Sequence, residues 1–154
     1  MTPPMLHIRP IVAADQAAWR GLWNSYCDFY KEVVPEPVSQ GLWQRLLDPE
    51  QPIGGMLAEA QDGRIVGLMH YVLHPNTWSL QTLGYLEDLY VAADQRGQGI
   101  GRALIEALVE KGRAEGWYRV YWHTNTDNAN ARFLYDKIAG PSAAVKYTIP
   151  LGYK

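Results

Sequence analysis

The sequence predicts an α/β (α+β) chain built on one mixed, mostly antiparallel twisted sheet with helices on both faces. Three observations predict it. Segments with apolar residues at helical spacing alternate with short runs rich in Val, Leu, Ile and Tyr. Three such runs follow one another mid-chain, divided by turn residues, as antiparallel strands are. The last of them leads through a glycine-rich loop into a helix and then a further run, the pattern of a parallel strand–helix–strand crossover, which is almost always right-handed.

Leu6–Val12 alternates weakly and reads as a first strand, with Asp15 as the N-cap of the helix that follows. From Ala17 to Tyr30, Trp19, Leu22, Trp23, Tyr26, Phe29 and Tyr30 fall on one helical stripe. Val33–Pro37 breaks it, because each proline disfavours helix in the residue before it. A short helix over Ser39–Leu47 closes at Asp48-Pro49. The antiparallel strands are Met56–Glu59, Ile65–Leu73 and Leu83–Val91, the first pair joined by a hairpin at Gln61–Gly63. The next helix carries Ile100, Leu104, Ala107 and Leu108 on one face and ends at Gly116. A strand over Tyr118–Thr124 follows, then a helix capped by Asp127 or Asn128, with Ala131, Leu134, Tyr135 and Ile138 in register. Val145, Tyr147 and Ile149 alternate, so Ala144–Ile149 reads as a closing strand.

At 154 residues the chain predicts a single domain spanning 1–154. Six Trp and ten Tyr give ample surface to bury and exclude disorder as the main state. A net charge of −2 with no Lys or Arg run argues against a nucleic-acid surface. The apolar runs, such as Ile65 to Met69, are too short for a membrane span. A lone Cys27 allows no internal disulfide, and MTPPMLHIRP has no secretory pattern, so the expectation is cytoplasmic. His70 and His74 would stand roughly 13 Å apart along a strand, and His7 and His123 are isolated, so no metal site is expected.

The most specific segment is DQRGQGIGR, residues 94–102, between a strand and a helix. Gly97, Gly99 and Gly101 let backbone N–H groups converge, the helix N-terminus adds partial positive charge, and Arg96 and Arg102 add full charges around Gln98. Together they describe a pyrophosphate site. A Walker A loop would need Lys-Ser or Lys-Thr where Arg102-Ala103 stands, and a dinucleotide fingerprint would need glycine at 102. Arg/Gln-x-x-Gly-x-Gly/Ala is satisfied by Arg96, Gly99 and Gly101. The same glycines also suit a plain tight turn into a helix.

Gly84–Leu108, GYLEDLYVAADQRGQGIGRALIEAL, resembles the acetyl-CoA-binding core of the GNAT superfamily of N-acetyltransferases, and Asn128-x-x-Ala131-x-x-x-Tyr135 resembles its distal helix. Leu86-Glu87-Asp88 with Leu89-Tyr90-Val91 is most similar to the diamine, polyamine and thialysine acetyltransferase branch. Many members continue to Gly-Phe after Tyr135, where this chain reads Ile138-Ala139-Gly140-Pro141. The resemblance implies a GNAT-like fold, acetyl-CoA as co-substrate and a homodimer. It implies that Leu89 and Val91 pair with the pantetheine arm, that an N–H near Leu89 faces the thioester oxygen, and that Asn128 contacts the cofactor. Residues 96–99 with Gly101 and Arg102 would hold the pyrophosphate.

Amine acetylation needs a proton taken from the ammonium, charge stabilised on the thioester oxygen, and a proton given to the thiolate. Glu87, in the strand that enters the loop, is the candidate base, directly or through water, and Tyr135 the candidate acid. Periodicity alone would make Tyr135 a core tyrosine. Strict alternation puts Glu87 and Asp88 on opposite faces of the strand unless a bulge intervenes, leaving Asp88 as a substrate contact or either residue as a rim charge. Asp28, Glu32 and Glu36 near Tyr26 and Tyr30 could hold a cationic amine, or form a solvated loop beside a core stripe. Cys27 has no nearby histidine in sequence and reads as a buried thiol, which favours direct transfer. The expected function is acetyl transfer to a small cationic amine of polyamine, diamine, thialysine or amino-acid type. The alternatives are acetylation of protein lysines, or non-catalytic acyl-CoA sensing.

Overall fold

Sheet formation begins with β1 (Leu6–Pro10), whose five residues pair antiparallel with β2 (Ile53–Ala60). The computed structural model describes residues 5–152. Two compact units make up the chain, one ending at Trp122 and the other beginning at His123. In the first unit β2 pairs with β3 (Ile65–His74), and β3 with β4 (Leu83–Val91), both antiparallel. The sheet is completed by β5 (Arg119–Tyr121), which runs parallel to β4, giving the order β1-β2-β3-β4-β5.

Helices cover both faces, as the periodicities predict. On one face lie α1 (Gln16–Phe29) and α2 (Glu36–Leu47). Trp19, Trp23, Cys27 and Trp43 from these helices form a core with Ile11, Leu57 and Leu68. Buried indoles need acceptors, and Trp23 Nε1–H finds one in the buried Ser39 hydroxyl at 2.9 Å, which ties α1 to α2. On the other face α3 (Ile100–Glu115) lays Ile100 and Leu104 against Gly67, where a Cβ would stand 3.0 Å from both side chains. The Trp117 ring packs on Gly84 of β4 and Gly112 of α3, close enough that a Cβ on either would collide with it.

Arg9 joins three elements. Its guanidinium donates to both Asp15 oxygens at 2.8 Å and to Glu59 Oε2 at 2.6 Å, linking β1, the start of α1 and β2. Asp15 is the N-cap residue of α1, but its side chain does not cap the helix: it accepts from Arg9 and from the Val12 N–H. The Arg9 hydrogen bonds hold the Asp15 carboxyl below its usual range against the opposing effect of burial.

In the second unit α4 (Ala129–Ile138) half-buries Ala131, Leu134, Tyr135 and Ile138, the stripe read from the sequence. Asn128 takes the N-cap position, although its side chain makes no cap bond. The expected closing strand is corrected: residues 144–149 form no strand, and Val145, Tyr147 and Ile149 are 73%, 90% and 84% exposed. Alternation marks a segment able to pair, but a strand exists only within a ladder, and among the described residues 144–149 join none. The other strand and helix bounds differ by a few residues: β2 begins at Ile53, α2 at Glu36, and β5 is limited to Arg119–Tyr121. No helix among the described residues is long and apolar enough to cross a membrane.

The Arg9 clamp makes a pH-dependent contribution. A depressed carboxyl adds stability that is complete above the unfolded-state value of about 3.9 and lost as pH falls through the lower folded value. Asp15→Asn should therefore cost about 1–3 kcal/mol at pH 7 in urea unfolding, the range for buried charged hydrogen bonds. Its deficit relative to the native chain should shrink towards zero at the acid end of the transition, and a deficit independent of pH would contradict the assignment.

Candidate active site

β4 carries one residue more than its neighbour. Its register with β3 pairs His70 with Asp88 but Tyr71 with Leu86, so Glu87 is the additional residue of a β-bulge. Alternation therefore breaks between Leu86 and Asp88. Leu86, opposite Tyr71, and Leu89, opposite Met69, share the face that α3 covers, while Asp88 turns with His70 towards α1. Glu87 is exposed at the bulge, and the Tyr26 hydroxyl on α1 feels both Asp88 and Glu87. The bulge that the alternation argument left as its exception is present.

The parallel ladder is short. β5 pairs only with Leu83–Tyr85 of β4, so the β5 side of β4 is unladdered from Leu86 to Val91. A strand edge of this kind offers N–H and C=O groups to an extended, amide-bearing chain. Leu89 and Val91 lie on it. Beyond it the chain turns through residues 93–99, where Gly97 (φ +81°) and Gly99 (φ +80°) adopt left-handed conformations. A Cβ on either would meet nothing within 4 Å, so backbone conformation rather than space calls for glycine there. Gly99 is the N-cap of α3, and its carbonyl accepts from Ala103 N–H. The N–H groups of Ile100, Gly101 and Arg102 thus belong to the first turn, which has no intrahelical acceptors. Ile100, 2% exposed, anchors that turn in the core.

Charge around the loop is arranged to favour an anion. Arg96 donates from Nε to the Val91 carbonyl at 3.2 Å, and its guanidinium lies 5.3 Å from the ring centroids of both Phe29 and Tyr90. Stacking of this kind holds the charge in place. Asp94, the one acid in residues 94–102, is paired with Arg64 from the β2–β3 hairpin end. Arg102 pairs with Glu106 one turn along α3, and Gln98 is exposed at the loop tip. Left-handed glycines, a free helix start and a fixed arginine fit a pyrophosphate group.

Behind the bulge stands a cluster that spacing did not reveal. His70 is 1% exposed; Trp19 Nε1–H donates to its Nε2 at 2.9 Å, and its Nδ1 lies 2.9 Å from Asp88 Oδ2. Burial, together with the nearby Asp88 carboxylate, pushes the Tyr26 phenol far up, so it keeps its proton. The signal available in the sequence was one histidine inside the apolar run Ile65–Leu73, opposite a helix whose stripe carries indoles. Burial and the neighbouring Asp88 and Asp28 push the Cys27 thiol up, which disfavours a nucleophilic thiolate.

The remaining expected site residues are dispersed. Asp28 and Glu32 are exposed at the end of α1 and the turn after it, whereas Glu36 accepts from Arg20 and Gln40. Asn128 and Tyr135 belong to the second unit, where Asn128 Nδ2–H donates to Thr124 and Tyr135 lies on the half-buried face of α4. A separate cleft of about 260 Å³ opens between α1 and α2, lined by Gln16, Arg20, Glu36, Gln40 and Gln44 beside Trp19 and Trp43. Among the described residues no group of three or more His, Cys, Asp or Glu could hold a metal ion.

Known proteins resemble this chain in sequence and in fold. The family model described as the acetyltransferase (GNAT) family matches residues 19–140. The D-amino-acid N-acetyltransferase HPA3 of Saccharomyces cerevisiae is 35% identical over 141 residues, covering 91% of this chain and 88% of that protein. The aminoglycoside N(6')-acetyltransferase type 1 of Stenotrophomonas maltophilia is 35% identical over 108 residues, 66% of this chain and 63% of its own length. In three dimensions the ribosomal-protein-alanine N-acetyltransferase of Brucella melitensis biovar Abortus superposes with a TM-score of 0.80 at 24% identity, over 96% of this chain and 99% of that one. A family match that runs from α1 through the bulge and glycine loop to the end of α4 makes this chain a member of the GNAT family, an N-acetyltransferase that uses acetyl-CoA to acetylate amines.

Proposed function

We propose that the enzyme transfers acetyl directly from acetyl-CoA to the primary amine of a small cationic molecule, and that Glu87 and Asp88 share the work at the amine. The observation that carries this reading is the bulge, which sets an exposed carboxylate beside an anchored one, next to an unladdered strand edge. Asp88 contacts the ammonium. Glu87 takes the proton that an amine with a free value of about 10 must lose before attack. Bound acetyl-CoA supplies an activated acetyl as its thioester. The Leu89 N–H region stabilises the thioester oxygen as the amine nitrogen bonds to the carbonyl carbon. Leu89 and Val91 hold the pantetheine arm, while Arg96, Gly97, Gln98, Gly99, Gly101 and Arg102 hold the pyrophosphate. As the carbon–sulfur bond breaks, Tyr135 gives its proton to the thiolate, and the second proton that the nitrogen sheds on becoming an amide replaces it; that role and the cofactor contact of Asn128 rest on the distal-helix motif. Asp28 and Glu32 extend the negative charge at the mouth.

Amino acids and polyamines are the two substrate classes this charge suits. Likeness to a D-amino-acid acetyltransferase favours the first, and the residues Leu86–Val91 favour the second. The enzyme further acts as a homodimer, because Val145, Tyr147, Ile149 and Leu151 leave an alternating apolar segment open to a second copy.

Acetyl-CoA-dependent CoA release with product mass should single out a small amine from a panel of D- and L-amino acids, polyamines, thialysine, an aminoglycoside and a lysine-rich peptide. Transfer to the peptide alone would replace this reading with protein lysine acetylation. On the best substrate, Glu87→Gln should lower kcat by about 10²–10⁴-fold and remove the base from the pH profile, with acetyl-CoA binding kept. Tyr135→Phe should lower kcat likewise; unchanged turnover in either variant would remove that residue's role. Sedimentation should give a dimer that Tyr147→Ser with Ile149→Ser dissociates, and a native monomer would contradict the homodimer.

A further inference from the structure

The proposed chemistry gives no part to His70, a buried polar side chain directly behind the site. His70 has partners on both ring nitrogens, drawn from different elements: Trp19 of α1 at Nε2 and Asp88 of β4 at Nδ1, each at 2.9 Å. An indole N–H can only donate, so Nε2 must be the bare, accepting nitrogen. A neutral imidazole then carries its single hydrogen on Nδ1, aimed at Asp88 Oδ2. A proton on Nε2 would set two donors head to head, in a place 1% exposed and walled by the Trp19 and Trp23 rings, with centroids at 6.0 and 5.3 Å.

We propose that Trp19 and His70 form a tautomer lock that holds the Asp88 carboxylate aimed as the anchor for the substrate ammonium. The inference rests on the reading of Asp88 as the amine contact. A histidine–aspartate pair has the outline of an acid–base dyad, but such a dyad takes its proton through the nitrogen facing away from the carboxylate. Here the Trp19 indole occupies that nitrogen. His70 is therefore a positioning residue that transfers no proton, and proton removal falls to Glu87. The His70 Nδ1–H, fixed from behind by Trp19, holds one Asp88 oxygen, so the carboxylate keeps its aim when the amine enters. A carboxylate has about four acceptor positions, so capacity remains for an ammonium.

The first test needs no variant. A long-range ¹H–¹⁵N correlation spectrum of the native enzyme at neutral pH should show His70 with Nδ1 protonated and Nε2 bare. A protonated Nε2 would overturn the lock. In steady-state kinetics His70→Phe, which removes the donor to Asp88, should raise KM for the amine about tenfold and leave KM for acetyl-CoA unchanged. His70→Asn, whose amide can donate from the position of Nδ1, should recover most of that loss. Equal damage in the two variants, or a change in the acetyl-CoA KM instead, would overturn the positioning role. Asp88→Asn separates this claim from the reading beneath it: an unchanged amine KM would remove the anchor role of Asp88, whatever the tautomer of His70.

Discussion

The site depends on a mismatch in length between neighbouring strands. β3 and β4 cannot stay in register across Glu87, because the ladder on one side of it pairs His70 with Asp88 and on the other Tyr71 with Leu86. An additional residue in one strand increases the local twist and turns side chains that regular alternation would keep apart. Two consequences meet at the same place. Glu87 and Asp88 both act on one tyrosine of α1, and β4 continues from Leu86 to Val91 with no ladder to β5. A regular strand would have put its two carboxylates on opposite faces.

The rest of the first unit holds that mismatch rigid. The sheet that contains it is covered on one side by the tryptophan-rich face of α1 and α2, and on the other by α3. Each buried indole that meets a polar partner also ties elements together: Trp23 joins α1 to α2 through Ser39, and Trp19 joins α1 to β3 through His70. Arg9 does the same in charged form at the start of α1. The glycine loop is exposed yet bounded by fixed points, with Arg96 bonded back to Val91 before it and Ile100 buried after it. Backbone donors prearranged in this way need little reorganisation to meet an anion.

Much of this was legible because it depends on local rules. Strands and helices declare themselves by period, and Gly97 and Gly99 declare a loop because only a residue without Cβ takes their conformation cheaply. The bulge was half legible: Leu86 and Leu89 are three apart in a strand whose period is two, but either could have been read as facing the other side. The Trp19–His70–Asp88 contact was illegible, since 51 residues separate the first pair and 18 the second, and only the docking of α1 on β3 brings them together. Asp15 has the residue type of a cap, and its position fits, yet a longer-range arginine takes its carboxylate. The segment 144–149 carries a strand's alternation without a strand's partner, because pairing is a property of two segments and the sequence displays one.

The central claim is that the bulged edge of β4 and the glycine loop together receive acetyl-CoA. Titrating coenzyme A into ¹⁵N-labelled enzyme and following the backbone amides tests it most directly. Shifts should collect at Leu89 and Val91 and across residues 97–102, with Gln16, Gln40 and Gln44 of the α1–α2 cleft unmoved. Shifts confined to that cleft, with Leu89, Val91 and the loop unchanged, would contradict it.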